Sequence, residues 1–242
     1  MTHLVSIVIP VYDEGESIRP HLDQILEAVK PPLEVLVVHD MPEDTTVPAL
    51  ARYDSTVVVP TLNTYGRGPA NAIRFGLDAA SGDVIVVTMA DGSDNADQIP
   101  EMAELVRNGS AIVAASRYMK GGRQVGGPRV KGWLSRAAGV SLYHLAHVGT
   151  HDATNSFKAY RTEFVRDVGV ESTAGFEIGI ELVAKARRAR QPVTEIPTTW
   201  HDRDEGESRF NVVGWIPKYV RWYLYAFGRP INESSSTTRS MK

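Results

Sequence analysis

The apolar residues in the first half of the chain fall into short runs rich in valine and isoleucine, and longer stretches with helical spacing separate these runs. Apolar runs of this length are typical of strands that are buried on both faces of a sheet. The predicted strands are residues 5–10, 34–40, 55–60, 83–89 and 111–116. The predicted helices between them are residues 16–29, 43–52, 67–80 and 97–108. This alternation predicts an α/β fold with a mostly parallel central sheet and helical crossovers.

The pattern changes after a glycine-rich loop at residues 120–132. The remaining predicted elements are a helix at 133–148, a strand at 157–161, a helix at 176–190, a strand at 193–200 and an aromatic helix at 211–227. The last residues, SSSTTRSMK, have the composition of a disordered tail. We therefore predict one domain over residues 1–230 and a disordered tail over residues 231–242.

The composition narrows the classes of function. With 242 residues, 43% of them hydrophobic, the chain can form a substantial core. The net charge of −3 argues against a general nucleic-acid-binding protein, and the absence of cysteine excludes disulfides, thiolate catalysis and cysteine-based metal sites. The sequence has no apolar run long enough for a membrane span, and its N-terminal residues lack the features of a signal peptide. We therefore expect a cytoplasmic protein.

Polar residues follow four of the predicted strands. The segments are PVYDE (10–14), HD (39–40), NTYGRGPA (63–70) and ADGSD (90–94). In open parallel sheets, ligands bind beyond the carboxyl ends of the strands. Any one segment is compatible with an ordinary loop that caps a helix, but four strands that deliver polar groups to one edge predict a ligand site there.

Five segments in this order resemble the nucleotide-binding half of a family 2 glycosyltransferase with the GT-A fold. They are VSIVIPVYDE (5–14), VVHD (37–40), NTYGRGPA (63–70), GDVIVVTMAD (82–91) and SRY (116–118). The later segments DATNSFKAYR (152–161), GFEIGIELVAKA (175–186), VTEIPTTW (193–200) and DRDEGESRF (202–210) are similar to the acceptor half of the dolichol-phosphate mannosyltransferase-like branch. Members of that branch load a sugar onto a polyprenyl or dolichyl phosphate. The resemblance implies a nucleotide-sugar-binding half at residues 1–117 and an acceptor half, with C-terminal helices, at residues 118–230.

The resemblance implies that Pro10, Tyr12, Glu14 and Asp40 hold the base and ribose of the donor nucleotide. Carboxylates accept hydrogen bonds from base N–H groups or ribose hydroxyls, and a tyrosine ring offers a face for packing. The family usually has two acids where this chain has His39 followed by Asp40, so a GDP donor and a UDP donor both remain open.

The diphosphate and metal are expected at two further loops. Arg67 and Gly68 precede a predicted helix, where glycine lets the backbone come close to an anion. An Asp-x-Asp pair at a strand end can direct both acids at one divalent cation, but here Met89 takes the place of the first acid. We predict a Mg²⁺ or Mn²⁺ site at Asp91, which is also a predicted catalytic residue. Ser93 and Asp94 are predicted to add ligands, directly or through water.

By the same resemblance, Arg117, Arg203, Ser208 and Arg209 contact the acceptor phosphate, since arginine presents a planar donor fork to such oxygens. Arg117 and Asp152 are also predicted to be catalytic residues. Asp152 would orient a sugar hydroxyl, or act as a base if the acceptor is an alcohol. An already ionised lipid phosphate needs no strong base.

Three hypotheses follow for the whole chain. The first is an inverting glycosyltransferase that acts on a polyprenyl phosphate, placed peripherally on the cytoplasmic membrane face or beside a membrane-anchored partner. The second is a glycosyltransferase for a soluble glycan or small alcohol. The third, which Met89 and His39 motivate, is an inactive homologue that binds nucleotide. The apolar and cationic residues of the predicted helix at 211–227 suit either a membrane interface or a homodimer contact.

Overall fold

The apolar runs of the first half form the strands that the sequence predicts. The computed structural model describes residues 4–127, 129–201 and 212–231. The five strands are β1 (Val5–Val11), β2 (Leu33–His39), β3 (Val58–Leu62), β4 (Val84–Val87) and β5 (Ile112–Ser116). Strand β3 begins later than predicted because Asp54 holds a turn, in which its carboxylate accepts hydrogen bonds from the backbone and hydroxyl of Thr56.

The helices of the first half occur where they are predicted, with shorter bounds. They are α1 (Arg19–Ala28), α2 (Thr46–Ala49), α3 (Pro69–Ala79) and α4 (Ile99–Arg107). Short 3₁₀ turns precede α1 at Gly15–Ile18, follow α2 at Leu50–Arg52 and precede α4 at Ala96–Gln98. Helix α3 packs closely on the sheet, since a Cβ atom added at Gly76 would overlap the side chain of Val8 in β1.

The second half contains two elements that the hydrophobic pattern did not predict, the strand β6 and the helix α6. The elements are β6 (Arg123–Val125), α5 (Arg129–Ser141), β7 (Lys158–Arg161), α6 (Thr162–Val168), α7 (Ile178–Arg188), β8 (Val193–Pro197), β9 (Thr199–His201) and α8 (Val212–Tyr225). The predicted strand at 193–200 is divided at Thr198, whose backbone N–H donates to the Ser116 carbonyl. Beyond that point the chain leaves the main sheet, and β9 pairs with β6.

The main sheet has the strand order β3-β2-β1-β4-β7-β5-β8. All neighbouring pairs are parallel except those made by β7, which is antiparallel to both β4 and β5. The prediction of a mostly parallel α/β sheet is therefore confirmed. Because β7 runs in the opposite direction, its first residue, Lys158, lies beside Val87 at the carboxyl end of β4.

Helices cover both faces of the sheet and bury its alternating side chains. One face of β1 places Val8 in a cluster with residues of α3, α6, α7 and α8, and the other face places Ile7 and Ile9 in a cluster with residues of α1 and α4. Helix α8 is anchored by Trp222, which is buried and donates its indole N–H to Ser172 Oγ at 3.0 Å. Within the described part of the chain, no helix combines the length and apolar character needed to cross a membrane.

Candidate active site

The loops after β1 and β2 are joined by side chains at the carboxyl edge of the sheet. Asp13 has a positive φ of 54°, and its backbone N–H donates to Asp44 Oδ2 at 3.1 Å. The backbone N–H of Glu14 donates to Thr46 Oγ1 at 3.1 Å. Pro10 is buried within β1, and Tyr12 is 47% exposed just beyond its end. The structure thus places the predicted nucleotide residues Pro10, Tyr12 and Glu14 at one edge; their contacts with a nucleotide stay predictions.

Asp40 holds the loop that enters α3. Its Oδ1 accepts from Asn63 Nδ2 at 2.7 Å, and its Oδ2 accepts from the backbone N–H of Gly68, also at 2.7 Å. Gly68 is the N-cap of α3 and has a φ of 116°, a conformation that favours glycine. Arg67 is exposed beside it. Asp40, Arg67 and Gly68, predicted separately to bind ribose and diphosphate, therefore lie together, because one carboxylate fixes the loop that carries the other two.

The chain leaves β4 earlier than the sequence predicts. The strand ends at Val87, and Asp91 lies in a turn and not in an extended segment. The prediction of a strand to residue 89 is wrong because the Asp94 side chain binds Thr88 and Met89, the two residues that follow Val87. Its Oδ2 accepts from the Thr88 hydroxyl at 3.0 Å and from the Met89 backbone N–H at 3.1 Å. The turn is closed by the backbone N–H of Ser93, which donates to Asp91 Oδ1 at 3.1 Å.

Three side chains of this turn differ in what they offer a cation. Asp94 is buried, and burial together with the charge of Asp91 raises its pKa to about 7. Asp91 is partly exposed. Ser93 Oγ is buried and has no hydrogen-bond partner among the described residues. The described residues contain no cluster of three acidic, histidine or cysteine side chains arranged for a metal. A carboxylate beside an unsatisfied buried hydroxyl fits a hard divalent cation that also takes substrate oxygens.

His21 was not predicted from the sequence. It is buried on α1, with Nε2 3.3 Å from Thr88 Oγ1. The Thr88 hydroxyl thus lies between the His21 ring and the Asp94 carboxyl group. Burial lowers the pKa of His21, which favours the neutral imidazole. His21 resembles an ordinary apolar-face residue of an amphipathic helix, so the sequence offers no signal for this contact.

Arg117 and Asp152 form a buried ion pair across the acceptor side. Arg117 Nε lies 2.7 Å from Asp152 Oδ2, and Arg117 Nη2 lies 2.9 Å from Asp152 Oδ1. The backbone N–H of Arg117 adds a third bond to Oδ2 at 3.1 Å. Asp152 is fully buried, and burial raises its pKa, but the charge and hydrogen bonds of Arg117 outweigh this effect and hold the pKa below its ordinary value. Asp152 therefore fixes the orientation of the Arg117 side chain. The roles expected of Asp152 from the sequence, to orient a sugar hydroxyl or to act as a base, stay predictions.

Hydroxyl groups surround the guanidinium of Arg117. Its Nη2 lies 3.2 Å from Ser135 Oγ on α5, and the Tyr118 hydroxyl lies 3.1 Å from the same oxygen. Ser135 Oγ also lies 2.5 Å from Thr154 Oγ1. The ring of Trp200 in β9 is 6.0 Å from the guanidinium carbon. Helix α5, the loop after β5 and the loop before β7 therefore meet at Arg117.

The turn after β4 and the Arg117–Asp152 pair interact electrostatically. The charge of Arg117 acts on Asp94, and so does the charge of Asp91. Three predicted acceptor residues, Arg203, Ser208 and Arg209, lie outside the described residues, as does the predicted tail beyond Ile231.

The comparison with family models decides the family. The model of Glycosyl transferase family 2 matches residues 6–169, which include the loops at the carboxyl edge of the sheet and the Arg117–Asp152 pair. The chain belongs to glycosyl transferase family 2.

Curated relatives cover nearly the whole glycosyltransferase chain. An undecaprenyl-phosphate mannosyltransferase from Micrococcus luteus is 31% identical over 92% of this chain and 95% of its own. A dolichol-phosphate mannosyltransferase from Pyrococcus furiosus is 30% identical over 90% of this chain. That match spans 64% of the Pyrococcus chain, so this chain covers less than two thirds of that relative.

Solved structures confirm the fold of this family 2 glycosyltransferase. The glucosyl-3-phosphoglycerate synthase from Mycobacterium tuberculosis, crystallised with Mn²⁺, UDP and glucosyl-3-phosphoglycerate, superposes with a TM-score of 0.68. The match covers 95% of this chain and 82% of that one, at 17% sequence identity. At this identity the likeness establishes the fold alone, and it confirms the predicted GT-A architecture.

Proposed function

We propose that this chain transfers a sugar from a nucleotide-sugar donor to a polyprenyl phosphate, with inversion at the anomeric carbon. The observation that carries the proposal is the position of the partly exposed Asp91 turn and the fixed guanidinium of Arg117 within one charged site at the sheet edge. An acidic turn suits a cation with its diphosphate, and a preorganised arginine suits an anionic acceptor. The Micrococcus and Pyrococcus relatives, which are polyprenyl-phosphate mannosyltransferases by name, support the same substrate class.

The proposed cofactor is Mg²⁺ or Mn²⁺, held by the Asp91 carboxylate and Ser93 Oγ. When bound, such an ion neutralises negative charge on the nucleoside diphosphate as it leaves. Asp94 receives a positioning role here in place of the metal contact predicted from the sequence. Its Oδ2 already accepts two hydrogen bonds, from Thr88 and Met89, which shape the turn that presents Asp91.

The acceptor step needs positioning more than proton transfer. A phosphate monoester is ionised near neutral pH, so its oxygen can attack the anomeric carbon directly. The new bond joins that carbon to the acceptor oxygen, while the bond from the carbon to the diphosphate oxygen breaks and the nucleoside diphosphate leaves. Arg117, held in place by Asp152, orients the acceptor phosphate, and a fixed dipole or charge of this kind stabilises a transition state without reorganisation.

Helix α8 supports a peripheral contact with a membrane. An apolar stripe on α8 and the turn after it, defined as Ile216, Val220, Leu224 and Phe227, has exposed fractions between 42% and 63%. Lys218 and Arg221 are exposed on the same helix. An amphipathic helix with exposed apolar residues and basic side chains is typical of proteins that lie at a bilayer surface. A membrane contact through this stripe would bring the site to a lipid acceptor on the cytoplasmic face. The alternative to the membrane contact is a homodimer that buries the same stripe.

The test is nucleoside diphosphate release from GDP-mannose, UDP-glucose and UDP-N-acetylglucosamine with Mn²⁺ or Mg²⁺, in the presence and absence of a polyprenyl phosphate. We expect release from one donor that depends on the lipid. Asp91→Asn, which keeps the shape of the side chain and removes its charge, should abolish that release, while Asp97→Asn, a change at an exposed acid of the same loop region, should not.

Two results would contradict the proposal. Release that is equally fast without lipid would assign the enzyme to a soluble acceptor. Nucleotide binding without release from any donor would instead favour a homologue that has lost turnover, as Met89 in place of an acid suggests.

A further inference from the structure

Lys158 is a buried lysine that the proposed reaction does not use. Its side chain is fully buried at the start of β7. Because β7 is antiparallel to its neighbours, this first residue lies beside Val87 and Ala114, near the sheet edge that carries the site. The first residue of a parallel strand would lie at the opposite edge of the sheet. The reversed direction of β7 therefore brings Lys158 to the edge that carries the site.

The ammonium group of Lys158 binds the loop that carries Asp152. Its Nζ donates to the Ala153 carbonyl at 3.2 Å and to the Asn155 carbonyl in a shorter contact. The neighbouring wall is the start of α7, where a Cβ atom added at Gly179 would lie 3.3 Å from Nζ and 2.9 Å from the Asn155 oxygen. Glycine at 179 therefore leaves the space in which Nζ reaches both carbonyls.

Three charged groups of the site act on Lys158. Burial lowers the pKa of Lys158 to about 7 although the carboxylates of Asp152 and Asp94 oppose this effect, and the guanidinium of Arg117 lowers it too. Asp94 belongs to the turn after β4, whereas Asp152 and Arg117 form the buried ion pair. The hydrogen bonds to two carbonyls and the two carboxylates offset part of the cost of burying an ammonium group. Lys158 thus interacts with both parts of the proposed site.

We propose that Lys158 is a positioning residue for sugar transfer, which fixes the loop at residues 152–156 so that Asp152 keeps Arg117 in the orientation that binds the acceptor. The inference rests on the proposed function for its activity readout. The loop geometry itself can be tested independently. Loss of Nζ releases two carbonyls and loosens the hydrogen bond from the Asn155 backbone N–H to Asp152 Oδ1, which spans 3.2 Å.

The test compares Lys158→Met with Lys185→Met. Lys185 is also buried and also donates to two backbone carbonyls, those of Val168 at 3.3 Å and Gly169 at 3.0 Å. It lies on α7 and pairs with Glu181 Oε1 at 2.7 Å, so Lys185→Met controls for the general loss of stability when a buried ammonium is removed. We expect Lys158→Met to lower kcat/KM for the polyprenyl phosphate by about 100-fold, the loss that a small misplacement of a reacting group produces. The KM for the nucleotide sugar should stay within about twofold of wild type, and Lys185→Met should leave both values unchanged.

A second variant and a second measurement test the inference even if Lys158→Met does not fold or the transfer assay shows no activity. Lys158→Gln retains amide donors of shorter reach, and it should recover part of the acceptor kcat/KM. Amide hydrogen exchange at residues 152–156 should accelerate at least about tenfold in Lys158→Met and remain at the wild-type rate in Lys185→Met. The exchange measurement requires no substrate.

The outcomes separate the two proposals. Wild-type protein that makes no lipid-linked sugar contradicts the proposed function and leaves the exchange result to decide the role of Lys158. Unchanged loop exchange in Lys158→Met overturns the inference. So does a folded Lys158→Met enzyme whose kcat/KM for the polyprenyl phosphate is unchanged, or whose KM for the nucleotide sugar rises as much as its KM for the polyprenyl phosphate, because a general structural role predicts no selective effect on the acceptor.

Discussion

Replacement of Asp152 by asparagine should destabilise the protein strongly, although the two side chains have nearly the same shape. Asp152 is fully buried and accepts three hydrogen bonds from Arg117, at 2.7, 2.9 and 3.1 Å. Asparagine offers one acceptor oxygen and no charge, so the guanidinium of Arg117 remains buried without its counter-ion. Removal of one partner from a buried ion pair costs about 3–5 kcal/mol. For a chain of this length, such a loss corresponds to a fall in Tm of roughly 10 °C.

Urea unfolding followed by tryptophan fluorescence measures this loss, because the midpoint and slope give the free energy of unfolding. Asp83→Asn is the matched control. Asp83 also forms a two-bond pair with an arginine, Arg107, at 2.9 and 3.2 Å, but these side chains are 39% and 29% exposed. An exposed pair contributes less than about 1 kcal/mol. A loss for Asp152→Asn no larger than that for Asp83→Asn would refute the reasoning.

The pH dependence of the same variant has a definite sign. The folded-state pKa of Asp152 lies below the ordinary value of 3.8, because the stabilisation by Arg117 exceeds the cost of burial. A carboxyl group of this kind stabilises the fold above its unfolded pKa, and that contribution disappears as the pH falls through the folded pKa. The contribution of the Asp152 charge to the difference in unfolding free energy between wild type and Asp152→Asn should therefore shrink below about pH 4. A difference that does not shrink below about pH 4 would contradict this assignment.

Further predictions concern the metal, the membrane and the core. Met89→Asp, which adds a second acid near Asp91, should lower the Mn²⁺ concentration for half-maximal transfer by about tenfold, or ~1.4 kcal/mol; an unchanged requirement would exclude residue 89 from the metal's surroundings. Leu224→Glu, at the 63% exposed centre of the apolar stripe, should reduce co-sedimentation with anionic vesicles. Unchanged vesicle binding, together with loss of a dimer in analytical ultracentrifugation, would assign the stripe to self-association. Gly76→Ala should lower the urea midpoint by the equivalent of about 1–3 kcal/mol, because the added Cβ atom overlaps Val8; an unchanged midpoint would show that α3 can move away from β1.

Much of the sheet follows from the sequence because buried strands have a simple pattern. Apolar runs located all five strands of the first half, and the strand at Lys158–Arg161 was also predicted. Its direction was not, because a run of apolar residues reads the same in either orientation. Strand β6, with three residues inside a glycine-rich loop, is too short for periodicity to detect. Its pairing with β9 depends on the break at Thr198, which is a tertiary contact.

The site was less predictable than the fold because its side chains were known by type and not by direction. Asp91 and Asp94 are equivalent as sequence letters, yet Asp94 turns inward to Thr88 and Met89 and shapes the loop that carries Asp91. The direction of the Asp152 side chain was equally open from the sequence, and in the structure three hydrogen bonds from Arg117 define it. The sequence does mark Lys158 as unusual, because it lies inside the apolar run FKAY. A lysine at a buried strand position needs a hydrogen-bond or charged partner.

The most direct test of the central claim is the transfer of a labelled sugar from the active nucleotide donor into the organic-extractable fraction with polyprenyl phosphate. The product should be a polyprenyl-phosphate sugar with inverted anomeric configuration, and its formation should require both Asp91 and Arg117. Label that stays in the aqueous phase while the donor is consumed would contradict the assignment of a lipid-phosphate acceptor. Lipid-linked product formed equally well by Arg117→Met would contradict the role of the buried arginine pair.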